Sequence, residues 1–123
     1  MTIVDYRIIY DHNGSEMLVN SGDGVITYFK PKASIYDTIK VGTLLFKADA
    51  EWDLYDDAAE IAGTAYVFKK GCEPAPYRVK GHHAGWHTIV LKGAAPVREK
   101  NGCKVIAYKM NGNPRLVFSS LGD

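Results

Sequence analysis

Thr2-Ile3-Val4-Asp5-Tyr6-Arg7-Ile8-Ile9-Tyr10, then Asp11-His12-Asn13-Gly14-Ser15, then Glu16-Met17-Leu18-Val19-Asn20 is the stretch on which the fold turns. Its first segment sets Val4, Tyr6, Ile8 and Tyr10 on one face and Ile3, Asp5, Arg7 and Ile9 on the other, the period-two alternation of a β-strand. Asn13-Gly14 supplies the positive-φ positions that a tight hairpin turn needs, so Glu16 to Asn20 returns antiparallel. A second turn, Ser21-Gly22-Asp23-Gly24, leads into Val25-Ile26-Thr27-Tyr28-Phe29, which ends before Pro31. The three pieces read as an N-terminal meander.

The same punctuation continues outward. Thr43 to Asp53 alternates Leu44, Phe46, Ala48, Ala50 and Trp52 against Lys47, Asp49, Glu51 and Asp53, predicting a long strand with Leu44, Phe46, Ala48 and Trp52 buried and Lys47, Asp49 and Glu51 in water. Ile61 to Lys70 is a further strand, in which Gly63 and Ala65 would leave room for a close approach or the floor of a cavity. Tyr77 to Lys80, Trp86 to Lys92, Cys103 to Met110 and Leu116 to Ser120 complete the set, separated by Gly81 to Gly85, Gly93 to Gly102 and Asn111 to Pro114. Helix has little room. Ser34 could N-cap one turn over 34–40, with Asp37 placed for a capping box and Gly42 as the stop, and Asp53 could cap another over 54–60.

Short strands without crossover helices leave antiparallel connections as the economical solution. The expected fold is therefore a single all-β domain over residues 1–123, an antiparallel meander closing into a small barrel of about eight strands, since closure removes exposed edges. A two-sheet β-sandwich is the alternative.

The cadence Gly42-Thr43-Leu44-Leu45-Phe46, Gly63-Thr64-Ala65-Tyr66-Val67-Phe68, Cys72, Pro76-Tyr77-Arg78-Val79-Lys80-Gly81, Leu91-Lys92-Gly93-Ala94-Ala95-Pro96, Gly102-Cys103-Lys104-Val105-Ile106-Ala107-Tyr108 and Leu116-Val117-Phe118 resembles that of a group of small bacterial all-β domains known as hypothetical proteins. The resemblance implies an all-β domain of bacterial origin. It brings no activity, substrate or catalytic residue.

With 123 residues, 46% hydrophobic and 24% charged, the chain has the composition of a globular domain able to build its own core. No apolar run approaches the roughly 18 residues of a spanning helix, and no membrane partner is expected. The start, Met1 to Asp5, lacks a basic segment followed by an apolar one. The expected location is cytoplasmic if Met1 is the native start, and periplasmic or secreted if an export signal was removed.

Charge is divided unevenly: residues 1–62 sum to −6 and residues 63–123 to +7, giving the net +1. The expected consequence is that the halves meet, either within the monomer or across a homodimer joined through the complementary acidic and basic halves. No basic block with interleaved aromatics of the RNA-reader type occurs, so no nucleic-acid partner is expected.

The chemistry-bearing residues are few. Cys72 and Cys103, the only cysteines, flank glycines at strand ends and are candidates for a disulfide in an oxidising compartment. His82, His83 and His87 lie within six residues, but their spacing around Gly85 gives no clean pair on one face, so they are read not as metal ligands but as an exposed turn preceding a strand, with a binding loop at a barrel rim as the functional alternative. Asp49, Glu51 and Asp53 form a carboxylate row that the alternation explains as a solvated face. Trp52, Tyr66, Phe68 and Trp86 are the aromatics expected to line a cavity.

The chain has no G-x-S-x-G elbow, no H-E-x-x-H, no C-x-x-C and no glycine-rich phosphate loop, so no catalytic residue, metal or cofactor is assigned. The resulting expectation is a non-enzymatic binding domain that holds a small apolar or aromatic molecule in the barrel mouth, at Trp52, Tyr66, Phe68, His82, His83, Trp86 and His87. The alternative is a protein-protein interaction module, such as an inhibitor or an oligomerising accessory domain.

Overall fold

A computed structural model describes residues 7–54, 56, 58–84, 87–109 and 115–120. Ten strands run along the chain: β1 (Arg7–His12), β2 (Ser15–Asn20), β3 (Val25–Lys30), β4 (Leu44–Ala48), β5 (Glu60–Val67), β6 (Ala75–His83), β7 (Thr88–Lys92), β8 (Ala95–Arg98), β9 (Val105–Lys109) and β10 (Arg115–Ser120). Eight of them close an antiparallel barrel in the order β1-β10-β7-β6-β5-β4-β3-β2. The sandwich is not formed.

The N-terminal meander is built as its turns dictate. Asn13 and Gly14 take φ of 53° and 92°, the two positive values of a type I′ hairpin, and His12 pairs directly with Ser15 across it. At the next turn the Gly24 N–H donates to the Ser21 carbonyl at 3.2 Å. Asn20 and Asp23 clasp each other beside it through two hydrogen bonds of 3.0 and 3.1 Å.

Alternate residues of the eight strands fill the interior. Tyr10, Met17, Val19, Ile26, Phe46, Ile61, Ile89, Leu91 and Phe118 are each at most 2% exposed, joined by Leu54 from the connection after β4. Burying each of the large apolar side chains is worth roughly 1.5–3 kcal/mol.

Four expectations need correction. The strand over Thr43 to Asp53 ends at Ala48, because β3 begins at Val25 and offers no partner further along. Beyond it the Trp52 N–H turns to the Ser21 carbonyl at 3.2 Å. Asp49, Glu51 and Asp53 are exposed as predicted, although not as a strand row. The β3–β4 register slips between Ile26/Phe46 and Thr27/Leu44, so Leu45 bulges and is buried while Leu44 is only half-buried.

Second, the helical turn over 34–40 shrinks to a 3-10 turn at Ala33–Ile35, preceded by Lys32 and without a side-chain cap, so Ser34 does not act as N-cap. Over 53–59 the described residues show two successive turns, Asp56 N–H to Asp53 and Ala59 N–H to Asp56, both 3.1 Å. Third, the strand around Cys103 to Met110 is not a barrel strand. Its strand portion among the described residues, β9, pairs with β8, formed within the stretch read as a turn, and β10 pairs directly with β7. The β8–β9 hairpin is thus an arm inserted between two neighbouring barrel strands.

Fourth, Gly63 and Ala65 do not floor a cavity. A Cβ on Gly63 would fall on the Lys47 carbonyl and crowd the Ala48 Cα, so the backbone of β4 occupies that space. The same close approach occurs at Gly81, where a Cβ would meet the Val90 carbonyl of β7. Only glycine at these two positions lets the neighbouring backbones approach so closely.

Gly63→Ala should therefore lower the urea midpoint by the equivalent of about 1–3 kcal/mol, the cost of forcing atoms into packed space. An unchanged midpoint would show that β4 and β5 can part without loss.

Candidate functional site

The two ends of the barrel are closed by different side chains. At one end Trp52 swings from the connection after β4 and lies edge-on to Phe46, with ring centroids 6.4 Å apart. Its indole N–H donates to His83 Nε2 at 3.2 Å inside the protein. An imidazole nitrogen that accepts carries no proton, so this bond requires the tautomer protonated on Nδ1. Leu54 plugs the same end at 1% exposure. Outside this plug, Gly22, Glu51, Trp52 and Asp53 border a depression of about 330 Å³.

At the opposite end, where β3 and β5 finish and β6 begins, Tyr28 packs edge-on to Phe68 at 6.3 Å and Tyr77 is buried nearby. Burial pushes the Tyr28 hydroxyl up to about 12, with the neighbouring Tyr77 adding to the effect, and burial raises Tyr77 as well. Both stay neutral fillers. His12, at the end of β1, stacks on Phe118 at 4.6 Å and its Nδ1 donates to the Val117 carbonyl at 3.0 Å. Burial holds the His12 imidazole below its usual value, against the opposing pull of that carbonyl and of Asp11.

The residues expected to share a lining are therefore spread out. Trp52 and Phe68 follow the ends of antiparallel neighbours, β4 and β5, and so lie at opposite ends of the barrel. Tyr66 alternates with buried Ala65, faces outward and stands opposite Pro76. His82 and His87 are exposed, and only His83 reaches Trp52. Trp86 lies outside the described residues. Among the described residues no group of three or more histidine, cysteine or carboxylate side chains converges as a metal site would need.

The concave surface is elsewhere, between the arm and the outside of the barrel. A groove of about 440 Å³ is walled by Pro76, Tyr77, Ala94 and Tyr108, with Thr64 and Arg78 at its polar border. Arg78 is fixed there by a bidentate pair to Asp49, at 2.9 and 2.5 Å, and by a 3.1 Å hydrogen bond to the Thr64 hydroxyl. The pair holds the Asp49 carboxyl below its usual range. Asp49 with Arg78, and Asp37 with Lys70 at 3.8 Å, each join an acid of the first half to a base of the second within one chain.

The arm is held down at its tip. Cys72 and Cys103 form a disulfide with Cα atoms 5.5 Å apart, tying the loop before β6 to the β8–β9 turn. Arg98 reaches the carbonyls of Cys103, Glu73 and Val67 at 2.7, 2.9 and 3.3 Å, and Lys69 Nζ donates to the Gly102 carbonyl at 2.7 Å. Beside these ties a second hollow of about 580 Å³ opens among Gly71, Glu73, Pro74, Arg98 and Val105, and it shares Pro76 with the groove.

Sequence reasoning missed this groove. Tyr77 and Tyr108 were visible as strand residues, but the arm that brings Tyr108 against β6 follows from β10 pairing with β7. No protein-family model, curated protein or solved structure matches the chain.

Two outcomes follow from these contacts. Because His12 is more readily protonated unfolded than folded, its contribution to stability is complete above pH 6.5 and declines as pH falls below that value. The urea midpoint should therefore drop between pH 7.5 and 5, and His12→Gln should flatten that part of the profile. The paired replacement Cys72→Ser, Cys103→Ser should cost about 3–4 kcal/mol on the chain-entropy model and speed amide exchange in the arm more than in the barrel. Uniformly faster exchange would contradict a local tether.

Proposed function

We propose that this protein is a binding domain whose ligand is a small apolar or aromatic molecule, taken up in the groove between arm and barrel wall and not in the barrel mouth. The observation that carries the reading is the contrast between an interior filled by its own side chains and an outer groove with apolar walls. A volume of about 440 Å³ falls within the roughly 300–1,000 Å³ of small-molecule sites. Pro76 and Tyr108 offer flat apolar surface, while Arg78 and Thr64 give a ligand a polar end to align on. Tethering the arm by the disulfide keeps the groove in shape before a ligand arrives, which lowers the ordering cost of binding. A disulfide persists in oxidising surroundings, which supports action outside the reducing cytosol.

A protein-protein contact is the second reading, favoured by Ile106 and Tyr108, which are 60% and 59% exposed on β9. Homodimerisation through the acidic and basic halves is a further form of it, and sedimentation velocity across a salt series reports it directly.

For the ligand reading, titration with 1-anilinonaphthalene-8-sulfonate, naphthalene and indole should give saturable binding to at least one probe. A micromolar Kd would correspond to about −8 kcal/mol. Tyr108→Ala should weaken it by about tenfold, near 1.4 kcal/mol, without moving the melting temperature, while Trp52→Phe leaves affinity unchanged. Binding lost with Trp52→Phe but kept with Tyr108→Ala would move the site to the barrel end. No saturable binding would remove the reading.

A further inference from the structure

The arm is a two-stranded sheet, and such a sheet has two edges. β8 is the strand of the arm that packs beside β6. Among the described residues β9 pairs with β8 alone, so its other edge presents unpaired backbone donors and acceptors. Solvent-exposed edges of this kind are templates for another strand. Ile106 and Tyr108 stand on β9 as large exposed apolar side chains, which a solvated edge has no need of. The disulfide and the Arg98 hydrogen bonds hold this edge at a fixed place, so pairing would not have to order the arm first.

Charge indicates what kind of strand fits. Lys100, Lys104 and Lys109 are exposed around the arm, and no described carboxylate lies within ion-pair distance of any of them. The arm's one acid is Glu99. Self-pairing of two β9 strands in the register that sets Ile106 opposite Ala107 would place Lys104 of one copy directly opposite Lys109 of the other, and like charges across a ladder repel. A head-to-tail arrangement of copies closes only where the rotation between them completes a ring, and otherwise runs on as an open filament. An acidic partner meets neither obstacle.

We propose that the free edge of β9 is a docking site for an extended acidic segment of another protein, added as a third strand of the arm. Main-chain hydrogen bonds supply affinity, carboxylates at the segment's ends meet Lys104 and Lys109, and alternate apolar side chains pack on Ile106 and Tyr108. This goes beyond small-molecule binding in the groove and does not depend on it.

The test uses the intact, oxidised chain and two synthetic nine-residue peptides with one alternating valine-threonine core, one ended by glutamates and the other by lysines. By fluorescence anisotropy at low salt the glutamate-ended peptide should bind at least about tenfold more tightly, and the preference should shrink as salt is raised. Hydrogen exchange should show new protection at residues 105–109 in the complex. The exposed double substitution Lys104→Glu, Lys109→Glu, checked for an unchanged melting temperature, should reverse the preference. Equal affinities, no binding, or protection outside β9 would overturn the proposal. So would concentration-dependent protection of β9 without peptide, which would assign the edge to a second copy of this chain.

Discussion

The pairing of β10 with β1, Tyr10 opposite Ser120 and Asp11 opposite Ser119, joins the last strand to the first and turns a meander into a closed surface. Around this ring neighbouring backbones come so close that no side chain fits at Gly63 against β4 or at Gly81 against β7. A barrel of eight strands is narrow. Its lumen is taken up by inward side chains as large as Tyr10, Phe46 and Phe118, with Trp52 and Leu54 over one end and Tyr28 and Phe68 at the other. Interiors packed in this way hold few voids larger than a water molecule.

That filling moves any binding surface to the outside and gives the arm its importance. A hairpin of four and five residues has almost no core of its own, and two-stranded ribbons are marginal alone in water. Here the disulfide, the fan of Arg98 hydrogen bonds to three carbonyls and the Lys69 contact convert it into part of a rigid wall. Apolar walls below the arm and, on its far side, a strand edge that no other described strand pairs result from the same insertion. The first suits a small flat molecule and the second an extended chain.

Much of the fold could be read directly. Asn13-Gly14 announced its hairpin because few other dipeptides take two positive φ values cheaply, and the alternation of Phe46 and Ala48 against Lys47 in β4 separated inner from outer residues because the strand period is two. Reading failed where pairing, not pattern, decides. Thr43 to Asp53 kept its alternation past Ala48, yet a strand persists only as far as its neighbours do, and β3 had none to give. Tyr66 and Phe68 shared a parity with no sign of which side was inward, and the neighbours of β5 set that sign.

The sequence by itself determined the class of fold, the number of strands to within the arm, the antiparallel connections and the place of the two N-terminal turns. Each of these follows from local φ preferences and from the two-residue period. Only the tertiary structure decided that β10 skips the preceding hairpin to pair with β7, that Cys72 meets Cys103, that Trp52 donates to His83, and that the groove lies outside the barrel at Tyr108. The physical reason is range: a turn is fixed by adjacent residues, whereas these contacts join residues tens of positions apart, and the competition among all strands for neighbours selects them.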